Sequence, residues 1–150
     1  MKVVVQRVST ASVTINGIIH NEIGHGLLVL LGIGLTDDQA DIEYIVQKTL
    51  GLRIFPDQDG KMNLSLDEIQ GEVLLISQFT LLASTKKGNR PSYINAAPPV
   101  VAIPVYEKTI STMQDRMGSR LKTGIFGADM KVSLINDGPV TIQIDSKYKD

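Results

Sequence analysis

The hydrophobic pattern of this chain changes period more than once, and each change narrows the folds it can adopt. Residues 3–8 and 12–15 are rich in β-branched side chains, the pattern of strands. Asn16-Gly17 then turns the chain back into Ile18-Ile19, a strong hairpin signal because both turn positions tolerate positive φ. Gly24 and Gly26 punctuate the chain before residues 27–33, a short apolar run suited to a buried strand. From Thr36 the period lengthens. Ile42, Ile45, Val46, Thr49 and Leu50 share one helical face, and Asp37 and Asp38 at its start favour the helix dipole.

Extended structure resumes at Arg53-Ile54-Phe55, followed by a turn over 56–60 and strands over 63–66 and 73–82. A loop over 83–99 carries Pro91, Pro98 and Pro99; a loop this long inside a compact domain is usually functional or disordered. A second helix is predicted over 101–117, with Val105, Ile110 and Met113 inward and Pro104 confined to its first turn. Strands over 131–135 and 140–144 close the chain. Strands interrupted by two helices predict an α/β fold, one domain over 1–150, with the helices packed on one side of layered β-sheets.

With no cysteine, disulfides, thiolate metal sites and a cysteine nucleophile are excluded. The first residues read as a strand, without the apolar core of a signal peptide, and no apolar run approaches the roughly 20 residues that span a bilayer. A cytoplasmic setting is the expectation. Net charge is −1, from 15 Lys and Arg against 16 Asp and Glu, which argues against generic coating of a nucleic-acid duplex. The basic stretch Lys86-Lys87-Gly88-Asn89-Arg90 reads as a solvated loop, or as a local patch touching one end of an RNA.

Several sites are weighed and set aside. Gly32-Ile33-Gly34 follows a strand and precedes a helix, but the third glycine of a dinucleotide loop is missing: position 37 is Asp, and two carboxylates there would repel a pyrophosphate. Asp57-Gln58-Asp59-Gly60 lacks the later ligands of a calcium loop. His20 and His25 have no third ligand at hand, so no metal or cofactor is expected.

Two stretches resist dismissal. Ser77-Gln78-Phe79-Thr80 places polar groups in the middle of an apolar run, where an unpaired amide or hydroxyl costs about 1–3 kcal/mol. Read as a strand, Ser77 and Phe79 face one side, Gln78 and Thr80 the other. Thr80 has no neighbouring base to activate it as a nucleophile. The other stretch, Asn136-Asp137-Gly138-Pro139-Val140-Thr141, is either a hairpin turn with a trans proline or a cis bond that aims main-chain oxygens at a ligand.

Taken in order, these motifs resemble the D-aminoacyl-tRNA deacylases, historically called D-Tyr-tRNA deacylases. The resemblance runs through Gln6-Arg7-Val8, Leu52-Arg53-Ile54-Phe55 and Gly60-Lys61-Met62-Asn63. It continues through Ser77-Gln78-Phe79-Thr80, Lys87-Gly88-Asn89-Arg90-Pro91-Ser92, Gly124-Ile125-Phe126-Gly127-Ala128-Asp129-Met130 and the Gly138-Pro139 segment. It implies that family's layered α/β fold and a homodimer that hydrolyses the ester between a D-amino acid and the 3′-terminal ribose of tRNA. It further implies that Ser77, Gln78, Phe79 and Thr80 form the site's floor. Gly138 and Pro139, joined by a cis bond, are implied to enter the partner subunit's site and reject L side chains sterically. Glycyl-tRNA, with no side chain to reject, is then an expected substrate. For the chemistry, backbone N–H groups of Phe79 and Thr80 are the preferred oxyanion donors, and the ribose 2′-OH is preferred to Thr80 as the aid to water activation. Arg7 and the 86–90 loop are candidate contacts for the terminal adenosine or phosphates. A non-catalytic RNA-binding module and a relative that clears L-alanine from tRNA stay open as alternatives.

Overall fold

The computed structural model describes residues 1–149. Its elements run β1 (Lys2–Ile15), β2 (Ile18–Ile23), β3 (Gly26–Gly32), α1 (Gln39–Gly51), β4 (Phe55–Pro56), β5 (Met62–Leu64), β6 (Glu72–Ser77), a 3₁₀ turn (Phe79–Leu82), α2 (Pro99–Met117), a second 3₁₀ turn (Gly118–Arg120), β7 (Leu121–Thr123) and β8 (Met130–Asp145). The main sheet has the order β2-β1-β3-β6-β7, with β8 pairing the other edge of β1. β3–β6 and β6–β7 are parallel pairs, so each needs a crossover, and these crossovers contain α1 and α2. β4 and β5 form a separate small hairpin.

Where the sequence suggests two strands, β1 is one long strand that changes face part-way. Val3 and Val5 are buried in one cluster, and Val8, Ala11 and Val13 in another. Val5 and Val8 face opposite sides as simple alternation requires, but Val8 and Ala11 share a side across an odd step. The two-residue period therefore breaks between them, where the β1–β8 register shifts between Val8 and Thr10; a separate shift lies between Gln6 and Val8. β3 and β6 alternate in step: Leu27, Val29, Leu31, Val73 and Leu75 face the first cluster, while Leu28, Leu74 and Ile76 face the second. Ile42, Ile45 and Val46 of α1 and Ala102, Tyr106, Met113 and Met117 of α2 all join the first cluster. Both helices therefore cover one side of the sheet, as the sequence predicts. The sheet curls over its other face, where Ile23 of β2 and Val132 of β8 close the second cluster and the sheet is nearly a closed layer.

Local chemistry explains most boundaries. Asn16 and Gly17 both have positive φ, +52° and +79°, the geometry the β1–β2 turn requires. α1 starts with a capping box: Asp38 Oδ1 accepts from the Ala40 and Asp41 N–H groups, and Asp41 Oδ2 accepts from the Asp38 N–H. Asp37 has a different task from the one expected. Its buried carboxylate meets the Met1 ammonium at 2.6 Å, the same ammonium that donates to Ser146 Oγ at 2.6 Å.

Other boundaries also differ from expectation. α2 starts at Pro99, so Pro104 falls in the second turn rather than the first. Its buried stripe is Ala102, Tyr106, Thr109, Met113 and Met117, with Val105 and Ile110 only half-buried beside it. The predicted strand over 73–82 stops at Ser77, and the two predicted C-terminal strands are two halves of β8. Gly138-Pro139 is therefore no hairpin turn, because both halves of β8 pair with β1.

Candidate functional site

The Ser77–Thr80 segment takes its shape from the end of β6. Ser77 is the last residue in register with β3, opposite Leu31, and the Gln78 N–H still donates to the Leu31 carbonyl at 2.7 Å. The chain then tightens into the 3₁₀ turn, with Leu81 N–H on the Gln78 carbonyl and Ala83 N–H on that of Thr80. This corrects the alternating-strand reading of Phe79 and Thr80. Their side chains leave a tight turn, and as its first residues they have N–H groups without acceptors inside the turn. Gly32 permits the arrangement: a Cβ there would lie 2.5 Å from Leu82 Cδ2 and 3.0 Å from the Gln78 carbonyl. Its role is close packing against the turn.

Beside this turn lies an open cleft of about 260 Å³. Ser77, Gln78 and Phe79 form one side, Ala97 and Ala102 at the start of α2 another, and the run from Phe126 to Met130 a third. Phe79 is exposed and packs edge-on against Tyr93, with ring centroids 5.0 Å apart. Thr80 Oγ1 accepts a hydrogen bond from Gln78 Nε2, and no histidine or carboxylate bonds to it among the described residues. Below α2, Tyr106 donates to the Leu75 carbonyl at 3.2 Å, and burial pushes its phenol up to about 12. It stays a neutral donor at ordinary pH.

The 126–130 wall carries part of the family resemblance, but its sequence alone points to no site role. It lies between β7 and β8 and turns at Gly127, whose φ is +78°. That glycine in a strand-to-strand connection was the available signal. Asp129 in this wall pairs with Lys131 at 2.8 Å in the open.

Gly138 and Pro139 sit elsewhere on the chain. Opposite the single residue Arg7, β8 loops out four residues, 137–140: Gln6 faces Thr141 while Val8 faces Asn136. The loop is closed by Asn136, whose Oδ1 accepts the Val140 N–H and whose Nδ2 donates to Thr141 Oγ1, both at 3.0 Å. The Gly138-Pro139 peptide bond is cis, and Gly138 has φ +131°. Arg7 supports the loop from below. Its guanidinium is buried, donating from Nε to the Asp137 carbonyl at 3.0 Å and from Nη1 to the Ile54 carbonyl at 2.5 Å, with Asp137 Oδ2 3.4 Å from Nε.

The structure thus brings Arg7 together with Gly138-Pro139, and Ser77, Gln78 and Phe79 together around the cleft. It does not bring the two groups together: Gly138 and Pro139 are exposed and are not among the residues lining the cleft of their own chain. Arg7, the candidate contact for adenosine or phosphate, uses two of its five N–H donors on the backbone carbonyls of Asp137 and Ile54. Among the described residues no group of three or more His, Asp or Glu is placed to hold a metal ion, and no helix is long and apolar enough to cross a membrane.

Several known proteins resemble this chain over nearly its whole length. The profile of the D-Tyr-tRNA(Tyr) deacylase family matches residues 4–145. The chain is 58% identical, over all 150 residues and the whole of the relative, to a D-aminoacyl-tRNA deacylase of Flavobacterium psychrophilum. It is 60% identical to that of Cytophaga hutchinsonii over 149 residues, 99% of each chain. Among solved structures, the c-Myc DNA Unwinding Element Binding Protein superposes with a TM-score of 0.92 at 44% identity, over 97% of this chain and 98% of that one. A probable eukaryotic D-amino acid tRNA deacylase superposes with a TM-score of 0.82 over 95% and 97%; at 17% identity that likeness is one of fold alone. On the family profile and the full-length relatives, the chain belongs to the D-Tyr-tRNA(Tyr) deacylase family, enzymes that hydrolyse the ester of a D-aminoacyl-tRNA.

Proposed function

We propose that this ester is hydrolysed in the cleft beside Ser77, Gln78, Phe79 and Thr80, and that a homodimer completes the site with Gly138 and Pro139 of the partner subunit. The observation that carries the reading is the 3₁₀ turn at the cleft's edge. It leaves the Phe79 and Thr80 N–H groups free of acceptors within the turn, which suits them to stabilise the oxyanion of a tetrahedral intermediate. A hydroxyl without a base is a weak nucleophile, so the 2′-OH of the terminal ribose, next to the ester, is assigned the activation of water rather than Thr80.

Chiral selection follows from rigid main chain. If carbonyl oxygens of Gly138 and Pro139 of the partner subunit hold the substrate's α-ammonium, the remaining directions at Cα are not equivalent. A D side chain points to open space and an L side chain strikes backbone, so discrimination comes from exclusion. The exposure of Gly138-Pro139, away from the cleft of its own chain, supports delivery across a dimer. Glycine has nothing to exclude, so glycyl-tRNA is a substrate on this account. The partner is the 3′ end of charged tRNA rather than DNA, in keeping with a net charge of −1, and the setting is the cytoplasm, where charged tRNA is used.

The test is deacylation of D-Tyr-tRNA, L-Tyr-tRNA and glycyl-tRNA by the purified chain, with its oligomeric state measured alongside. Loss of the D and glycyl esters with the L ester spared is the expected result. Equal cleavage of both tyrosyl esters would remove the exclusion argument, and an active monomer would remove the cross-subunit one.

A further inference from the structure

We propose that the loop carrying Lys86, Lys87 and Arg90 is a phosphate clamp that positions the single-stranded 3′ end of the tRNA over the cleft. This rests on the functional reading above and adds residues to it. The first observation is charge segregation. Between Glu72 and Glu107 the chain has no Asp or Glu, and its only Lys or Arg residues are Lys86, Lys87 and Arg90. A protein of net charge −1 thus concentrates three cations, undiluted by carboxylates, in one five-residue stretch. None of the three forms an ion pair among the described residues, whereas Lys2, Arg7, Arg120, Lys131 and Lys147 all do. All three are exposed.

The second observation is placement. Ser84 and Ser92 pin the stem of the loop to itself through paired backbone hydrogen bonds of 2.8 and 2.9 Å. Thr85 to Gly88 closes the tip, with Gly88 at φ +135°. Next along the chain is Tyr93, whose ring packs against Phe79 at the edge of the cleft. Beyond it, Ala97 lines the cleft itself. The basic tip is therefore tied at its base to the place where the ester would sit. A substrate whose terminal ribose enters the cleft must lead its preceding phosphates past one of the cleft's edges, and this edge carries three cations that form no ion pair among the described residues. Arginine offers a planar fork for a phosphate, and the lysines offer point charges that tolerate a mobile strand. These are positioning residues: they hold the backbone of the substrate and do not touch the ester.

The experiment compares two substrates on the unmodified chain and on the variant Lys86→Ala/Lys87→Ala/Arg90→Ala. One substrate is D-Tyr-tRNA; the other is the minimal ester D-tyrosyl-adenosine, which has no phosphate. The expected result is a loss of kcat/KM on tRNA at least tenfold larger than on the minimal ester, carried by KM. Single-stranded phosphate contacts contribute a salt slope of about −0.7 each, so three of them give about −2. Raising monovalent salt from about 50 to 200 mM then slows the unmodified chain on tRNA by roughly 20-fold through this loop, and the variant loses that part of the slope. The charge-conserving Lys86→Arg/Lys87→Arg variant retains it. An unchanged salt slope in the alanine variant, or an equal loss on both substrates, would overturn the clamp. Failure of the functional reading has a different signature: the unmodified chain would cleave neither ester.

Discussion

Gly138→Ala is the most searching test of the Arg7-supported loop. A Cβ at position 138 would lie 2.7 Å from Val140 Cγ2, 3.0 Å from Arg7 Nη2 and 3.1 Å from the Val140 nitrogen. Neither neighbour can retreat freely. Val140 is buried, and Arg7 is fixed by the carbonyls of Ile54 and Asp137. At φ +131° an L side chain is also strained, a cost of about 1–3 kcal/mol. Loosening one charge-assisted hydrogen bond adds a cost of similar size. A destabilisation of about 2–4 kcal/mol follows, near 10 °C in Tm for a chain this long. Gly17→Ala is the control, since Gly17 also has positive φ but a Cβ there meets nothing within 4 Å; it bears only the strain. Urea unfolding followed by circular dichroism measures both, and D-Tyr-tRNA deacylation by each folded variant separates fold from function. A Gly138→Ala chain no less stable than Gly17→Ala would refute the packing argument. Full activity in a folded Gly138→Ala dimer would refute the placement of this loop in the partner subunit's site.

Three further outcomes are expected. Arg7→Lys replaces the fork by one ammonium nitrogen, which cannot stand at both the Nε and the Nη1 positions; with the buried Ile54 carbonyl or that of Asp137 unserved, unfolding free energy drops by about 2 kcal/mol in denaturant titration. Thr49 is fully buried on α1 and its hydroxyl has no hydrogen-bond partner among the described residues, so Thr49→Val, which keeps the shape, raises stability by about 1 kcal/mol in the same assay. For Asp41, burial alone would raise the carboxyl pKa, but it is outweighed by hydrogen bonds from Lys147 Nζ at 2.6 Å, Ser146 and the Asp38 N–H, with the Met1 ammonium adding to them. The folded-state value therefore lies well below the ordinary 3.8, so this contribution is complete above that pH and is lost as pH falls below it. Thermal unfolding between pH 7 and pH 3 should show the decline, and Asp41→Asn should flatten it.

The period of the hydrophobic pattern made both helices and most strands legible, because burial on one face imposes that period directly. Ile42, Ile45 and Val46 are fully buried on α1 at the spacing that identified the helix. Asn16-Gly17 was readable because its backbone needs positive φ at both positions. The misreadings arose where tertiary contacts override local pattern. Phe79 to Leu82 continue an apolar run yet form a turn, because Gly32 lets that turn pack on the end of β3. Pro104 lies in the second turn of α2 because Pro98 and Pro99 set the helix start two residues earlier than its pattern suggested.

The candidate site was half legible for the same reason. Polar residues inside an apolar run marked Ser77 and Gln78, whereas nothing local to Arg7 announces that it supports Gly138, which lies 131 positions away. Their meeting is decided by the pairing of β1 with β8. With Gln6 opposite Thr141 and Val8 opposite Asn136, one residue of β1 must stand against four of β8, and the extra residues can only leave the sheet as a loop. A second irregularity, between Val8 and Thr10, puts Val8 and Ala11 on the same side, toward the second core cluster. The exposed Gly138-Pro139 segment is thus fixed by the register of the two longest strands, and its geometry is as rigid as the core that sets that register.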